Sequence, residues 1–354
     1  MEDYAHAKQE WLRKHIGMQS VPSHDTFNRV FQAISPSCFG ECLMELSRRL
    51  REQVCGDIIA FDGKTHRRTG TKANNALHML NAWSVENRLV LGQMAVEEKS
   101  NEITAIPQLM DMLDLKGCVV TADALNCQKA VAAKAIEKKA DYLLALKANH
   151  QVLFDEVSAY MDDLSGQSPP GFEQVEKDHG RIETRRCWQS ASVDWHADKA
   201  EWPGLRSFVL IESIREHGDT VETSRRYYIS SLPQGESYAA QSARAHWQIE
   251  NSLHWCLDVV FNEDQSRART RNAARRAAEF KLHKYSPPYP SAFILLPYQA
   301  FLPQQFLYFL PLPQGQGSFL RTVFSLMNTL DARYCLVISW RLASLSTLSH
   351  SFSS

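Results

Sequence analysis

The stretch GCVVTADALNCQKAVAAKAIEKKADYLLALK, residues 117–147, decides how this chain folds. GCVVTADAL (117–125) reads as a buried strand, QKAVAAKAIEKK (128–139) as a helix and DYLLALK (141–147) as a second strand. A strand, a helix and another strand within thirty-odd residues form a crossover unit, which places the two strands parallel in one sheet. Upstream the rhythm differs. DIIAFDG (57–63) is a β-rich run that Gly63 is expected to stop. ALHMLNAWSV (76–85) and RLVLGQMAVEE (88–98) are joined through Glu86-Asn87, a hairpin pattern. EITAIPQLMDMLD (102–114) has helical spacing, with Pro107 early in it. The order β-β-β-α-β-α-β predicts an α/β fold whose mixed sheet is an antiparallel meander followed by parallel strands, with helices flanking it.

Outside this core the patterns are weaker. Residues 4–14 read as a short amphipathic helix, and Ser23 is placed to cap a second, TFNRVFQAI. Ser35-Pro36-Ser37 breaks that helix, and CFGECLMELSRRL starts another, giving a small N-terminal helical unit over 1–50. From about 151 to 235 the polar stretch DDLSGQSPPG precedes HGRIETRRCW, SFVLIESIRE and RRYYISSLP, which read as strands of an inserted β-rich piece. SYAAQSARAHWQIENSLHWCLDVVF (237–261) is one long helical pattern.

The chain has 39 Lys+Arg against 40 Asp+Glu, a net charge of −1, and is 44% hydrophobic. That balance excludes a uniformly basic coat protein and an acidic solvating chain, but leaves room for local basic patches. Eight scattered cysteines without a C-x-x-C pair exclude a zinc ribbon and a disulfide framework, and point to a reducing compartment. No apolar leader segment opens the sequence, so a cytoplasmic location is expected. Residues 286–354 stand apart: only Arg321, Asp331, Arg333 and Arg341 are charged, and seven of the fourteen prolines lie there. The uncharged run 291–310 is interrupted by Pro297 and Pro303, which argues against a membrane span.

Two acids follow apolar runs. Asp62 ends IIAFD and Asp123 ends CVVTAD. A carboxylate at the end of a buried strand needs compensation, and two on neighbouring strands can converge on a divalent cation. Spacing alone favours the plainer reading, in which each caps a following turn or pairs with a neighbouring lysine. On the late helix His246, Glu250, His254 and Asp258 recur every fourth residue and form one polar stripe. Glu250 could be a third metal-facing acid, the stripe could be a solvated face, or His246, Glu250 and His254 could hold zinc. Basic residues bunch in KTHRRTGTK (64–72), HGRIETRR (179–186) and RARTRNAARR (267–276), segments suited to phosphate contacts.

FDGKTHR, EEKSNEITAIPQLMDMLDLKGCVVTADALNCQK, DYLLALKANH, HGRIETRR, RRYYISSL and HWQIENSLHWCLDVVFNEDQSRAR together resemble the H-repeat-associated transposases of bacterial insertion sequences. The likeness runs in order over about residues 1–274. It implies a DDE transposase with an RNase H-like core over 51–280, carrying the β-rich insertion at about 151–235, behind a transposase-associated segment over 1–50. It implies Asp62, Asp123 and Glu250 as the catalytic, metal-binding triad, with two Mg²⁺ or Mn²⁺ ions as cofactor. Double-stranded DNA, as element ends and target, is the implied partner, engaged by a homo-oligomer and placing the protein at the bacterial nucleoid. Lys64, Arg67, Arg68, Arg181, Arg185, Arg186, Arg267, Arg269 and Arg271 are the candidate phosphate contacts. His246 is a further one, because it stands where related transposases carry arginine in a Tyr-Arg-Glu-Lys signature; Ala243 and Leu257 take the tyrosine and lysine places. The departure after about residue 275 reads as a shifted reading frame, which makes 281–354 an aberrant, proline-rich apolar tail. Two rival readings stand beside this one: an inactive DNA-binding remnant, and an RNase H-like nuclease without strand transfer.

Overall fold

The structure, a computed structural model, describes residues 2–51, 55–70, 75–96, 102–178, 180–266, 275 and 278. The expected tail over 281–354 and the arginines 267, 269 and 271 lie outside them. Two units divide the chain, one containing residues 1–50 and the other 51–267.

The first unit is helical. The expected opening helix is two, α1 (Glu2–Ala7) and α2 (Gln9–Ile16). α3 (His24–Ala33) starts as its sequence implies, with the Ser23 side chain accepting a hydrogen bond from the Thr26 amide. α4 (Pro36–Leu50) begins on the proline expected only as a breaker. Proline has the backbone angle of a first helical turn and needs no amide partner there, so it ends one helix and opens the next.

The second unit is built on one nine-stranded sheet of order β3-β2-β1-β4-β5-β9-β8-β7-β6. β1 (Ile58–His66), β2 (Leu77–Ser84) and β3 (Leu89–Val96) form the antiparallel meander. α5 (Glu102–Asp111), β4 (Val119–Ala122), α6 (Lys129–Glu137) and β5 (Asp141–Leu146) supply the crossovers, with β4 parallel to both β1 and β5. This is the RNase H-like arrangement that the resemblance implies. β1 does not stop at Gly63, because its pairing with β2 runs unbroken from Ile59↔Ser84 to His66↔Leu77. A glycine weakens a strand but does not end one that a neighbour still pairs on both sides of it.

The segment expected as an insertion opens instead with α7 (Gln151–Gln167), whose only fully buried residues, Leu153, Val157 and Met161, recur every fourth place. So narrow a stripe in a polar run is easily passed over in sequence. β6 (Phe172–Asp178), β7 (Arg181–Ser190), β8 (Ser207–His217) and β9 (Thr220–Ser230) follow. They form no separate layer: β9 pairs antiparallel with β5, so the four strands extend the core sheet. The expected late helix is α8 (Glu236–Gln248), a π-helical turn over Ile249–His254 and α9 (Trp255–Val259).

Strand parity sorts the two faces of the sheet. Ile58, Ala60, Val119, Leu143, Val209 and Ile211 pack with Ala239, Ala243, Ile249, Leu253 and Leu257 of the late helix in one core. Their neighbours Ile59, Phe61, Val120 and Leu144 are equally buried but point the other way. α5, which packs on β2 and β3, and α6, which packs on β5, cover that second face.

Candidate active site

The last parallel pair between β1 and β4 is Phe61↔Ala122, so Asp62 within β1 and Asp123, the first residue after β4, come next on the two adjacent chain segments. They share strand parity with Ala60 and Thr121, which directs both toward the face covered by α8. Glu250 arrives there from the π-helical turn, between Ile249 and Leu253, both fully buried. A π turn carries one residue more than an α turn. Here its two apolar anchors fix the turn on the sheet and leave Glu250 near Asp62 and Asp123.

The electrostatics of the three acids are coupled. Burial, then the charges of Glu250 and Glu102, pushes the Asp62 carboxyl up to about 7, with Asp123 adding a smaller push and the Gly63 amide opposing. Burial raises Asp123 as well, against hydrogen bonds from Asn126. Glu250 is raised by burial, against the nearby positive charge of Arg226. Among the described residues no three His, Cys, Asp or Glu side chains are already gathered closely enough to hold an ion. Three hard oxygen donors whose charged forms are disfavoured chiefly by burial nevertheless fit a divalent cation, which would compensate that buried negative charge.

Two histidines of the polar stripe are neutral. Burial, then Arg226, lowers His246 to about 4, and its Nδ1 lies 3.2 Å from Thr121 Oγ1. An uncharged imidazole does not replace an arginine, so the expected phosphate contact at His246 is not supported. Arg226 of β9 brings a guanidinium to this place instead, 4.3 Å above the Trp247 ring. His254 is lowered to about 4 by burial and Lys64, with Nδ1 3.4 Å from Asp62 Oδ2. The two rings thus face different partners, and the zinc arrangement with Glu250 is not formed.

The basic candidates divide. Lys64 is buried and donates to both Asp258 oxygens at 2.7 Å, tying β1 to α9. It is therefore a structural ion pair rather than a phosphate contact. Arg67 is exposed, with Asp264 at 3.6 Å, and Arg68 lies beside it. Arg181 and Arg185 line a groove of about 640 Å³ together with Arg215, Arg226, Arg244, Trp247 and Glu250. Glu176 and Glu183 partly neutralise it, for Arg185 contacts both, at 2.9 and 2.6 Å. Arg186 has the opposite strand parity and pairs with Glu173 and Glu212 away from the groove. A second cavity of about 220 Å³ reaches from Asp123 and Lys147 to Glu250.

Glu102, His78, Asn126 and Arg226 surround the acids but were not singled out in the sequence. Glu102, Asn126 and Arg226 lie in the distinctive runs EKSNEITAIP, TADALNCQK and RRYYISSL and His78 does not, but no single-residue pattern marks any of the four.

An RNase H-like sheet with one acid within its first strand, a second directly after its fourth, and a third on a late helix is the pattern of the DDE phosphoryl-transfer enzymes. The chain belongs to the transposase DDE domain family, whose model matches residues 54–285, and residues 1–46 match the segment associated with that domain. It is 42% identical over 283 residues to a putative transposase, YncI, of Escherichia coli O157:H7, covering 77% of this chain and 73% of that one. It is 38% identical over 285 residues to the H repeat-associated putative transposase YhhI of Escherichia coli K12, covering 77% and 75%. An uncharacterised protein of Xanthobacter autotrophicus is 44% identical over 235 residues, 65% of this chain and 79% of that one. Among solved structures, a piggyBac transposase in a synaptic complex with hairpin DNA aligns at 10% identity and a TM-score of 0.38, over 80% of this chain and 63% of that one. No helix among the described residues is long and apolar enough to cross a membrane.

Proposed function

We propose that Asp62, Asp123 and Glu250 are the catalytic acids of this insertion-sequence transposase, and that they hold two Mg²⁺ or Mn²⁺ ions during DNA strand cleavage and strand transfer. The observation that carries this reading is the β1–β4 register, which brings Asp62 and Asp123 side by side on the face where Glu250 sits. Family membership makes DNA phosphoryl transfer the reaction. Bound divalent cations activate the attacking oxygen and stabilise the leaving one.

The residues of the chain supply the rest. The carboxylates fix where the scissile phosphate lies, and burial keeps their field unscreened. Arg226, with Arg181 and Arg215 further along the groove, holds the phosphates on either side, and exposed Arg67 and Arg68 offer a second contact point. Arg267, Arg269 and Arg271 extend this basic set. Residues 51–280 act as the catalytic domain, and a homo-oligomer brings two element ends together in the cytoplasm, at the nucleoid.

Labelled element ends with Mg²⁺ or Mn²⁺ test the assignment. Asp62→Asn, Asp123→Asn and Glu250→Gln are each expected to abolish cleavage to a similar extent, since the acids act as one site. Retained cleavage in any of them refutes the triad. Cutting without joining by the wild-type chain would make it a nuclease, and neither reaction would make it a DNA-binding remnant.

A further inference from the structure

Behind Asp123 runs a chain of hydrogen bonds that the triad does not require. Thr65 Oγ1 lies 2.8 Å from His78 Nδ1, and these residues are register partners on β1 and β2. His78 Nε2 is 2.7 Å from Glu102 Oε1. The other Glu102 oxygen accepts from Asn126 Nδ2 at 2.7 Å, and the same amide donates to Asp123 Oδ1 at 2.8 Å. The Asn126 backbone amide adds a bond to that oxygen at 3.1 Å.

Because a carboxylate only accepts, His78 must carry its proton on Nε2 when neutral, and Thr65 then donates to Nδ1. Each link thereby fixes the next. Both Glu102 oxygens are committed, so Glu102 is arranged to orient a neighbour rather than to ligate. Asp123 Oδ1 receives two bonds from Asn126, while Oδ2 receives neither. The Asn126 side chain is wholly buried, and Glu102 opens α5, where a helix N-terminus favours an anion. Gly63 leaves the room: a Cβ there would collide with Glu102 Oε1 and His78 Nε2. The chain therefore reaches Asp123 past the residue next to Asp62, from the sheet face opposite α8.

We propose that Glu102 is a positioning residue that acts through Asn126 to lock the Asp123 carboxylate with Oδ2 turned free for a divalent cation. This rests on the reading of Asp123 as a metal ligand. Partners of this kind, one step behind a ligand, change metal affinity by roughly 10–100-fold when removed.

The test uses the full chain without DNA, titrated with Mn²⁺ by calorimetry, and then end-cleavage kinetics. Glu102→Gln, which keeps size but gives Asn126 or His78 a donor to face, is expected to weaken Mn²⁺ binding by about 10-fold. It should lower kcat while leaving KM for DNA within about twofold. Asn126→Ala should do the same, and the double variant should be no weaker than Asn126→Ala alone, because both break one chain. Should Glu102→Gln fail to fold, Asn126→Ala carries the same expectation. Wild-type Mn²⁺ affinity in either folded variant would overturn the inference. So would multiplicative losses in the double variant, or a Glu102→Gln loss as complete as that of Asp123→Asn, which would make Glu102 a direct ligand. Unchanged Mn²⁺ affinity in Asp123→Asn would instead sink the metal reading beneath it.

Discussion

Asp62 is the carboxylate most at odds with its surroundings. Its proton is held up to about 7 by burial and neighbouring acids, against an ordinary 3.8. Between those pH values the folded chain binds more protons at this group than the unfolded chain does, so its contribution to stability is present below about pH 4 and is lost as pH rises toward 7. In metal-free protein, Asp62→Asn is expected to raise stability at pH 8 by about 1–3 kcal/mol, a gain of several degrees in Tm, and to change it little near pH 4. Thermal melts in chelator at the two pH values measure this; equal melting of variant and wild type at pH 8 would show that the acid is not strained. The same substitution is expected to abolish cleavage, the usual opposition between stability and a functional site. Asp62 and Asp123 were visible in the sequence as acids following apolar runs, but only the family resemblance, not that spacing, marked them as a metal-binding pair. Glu102 was not marked, since nothing in EITAIP distinguishes an acid that starts a helix from one that supports a catalytic group.

At the scale of elements, the late helix decides whether Glu250 reaches Asp62 and Asp123. The sequence shows a fourfold stripe and reads as one α-helix, whereas the chain inserts a π turn over Ile249–His254. Ile249 and Leu253 make their apolar contacts on the sheet, and the Lys64–Asp258 pair closes α9 onto β1. Local propensity cannot specify such a turn; it forms where packing on both sides outweighs one regular hydrogen bond. Asp258→Ala leaves Lys64 buried without its partner. Allowing for the partial exposure of Asp258, the expected cost is about 2 kcal/mol, with reduced cleavage as Glu250 loses its support. Chemical denaturation and the end-cleavage assay check both parts, and a Lys64→Met/Asp258→Ala pair should recover part of the stability.

Over the whole catalytic unit, charge is arranged in opposed pairs rather than in one basic face. On β6–β9 and α8, Glu176 meets Arg185 and Arg244, while Glu183 meets Arg185 and Arg215. That explains how a DNA enzyme carries a net charge of −1, and it restrains non-specific binding. Glu176→Gln is expected to release two arginines into the groove, raising affinity for random duplex several-fold at low salt and steepening its salt dependence. Binding measured from 50 to 200 mM salt tests this, and an unchanged slope would exclude the groove as a DNA path.

What the sequence by itself determined is the order of elements from β1 to β5, the helical N-terminal unit and, through several distinctive runs, the family, which in turn implies the acids Asp62, Asp123 and Glu250. The elements follow from local periodicity and the family from runs of residues in order, both of which survive without knowledge of the fold. Tertiary structure alone decided that β6–β9 extend the core sheet and that Lys64 turns inward. It also decided that His246 is neutral with Arg226 standing beside it, and that Glu102 lies behind Asp123. Each of these depends on which residues meet across more than twenty positions of chain, and burial and pairing at such contacts set charge and orientation more strongly than residue type does.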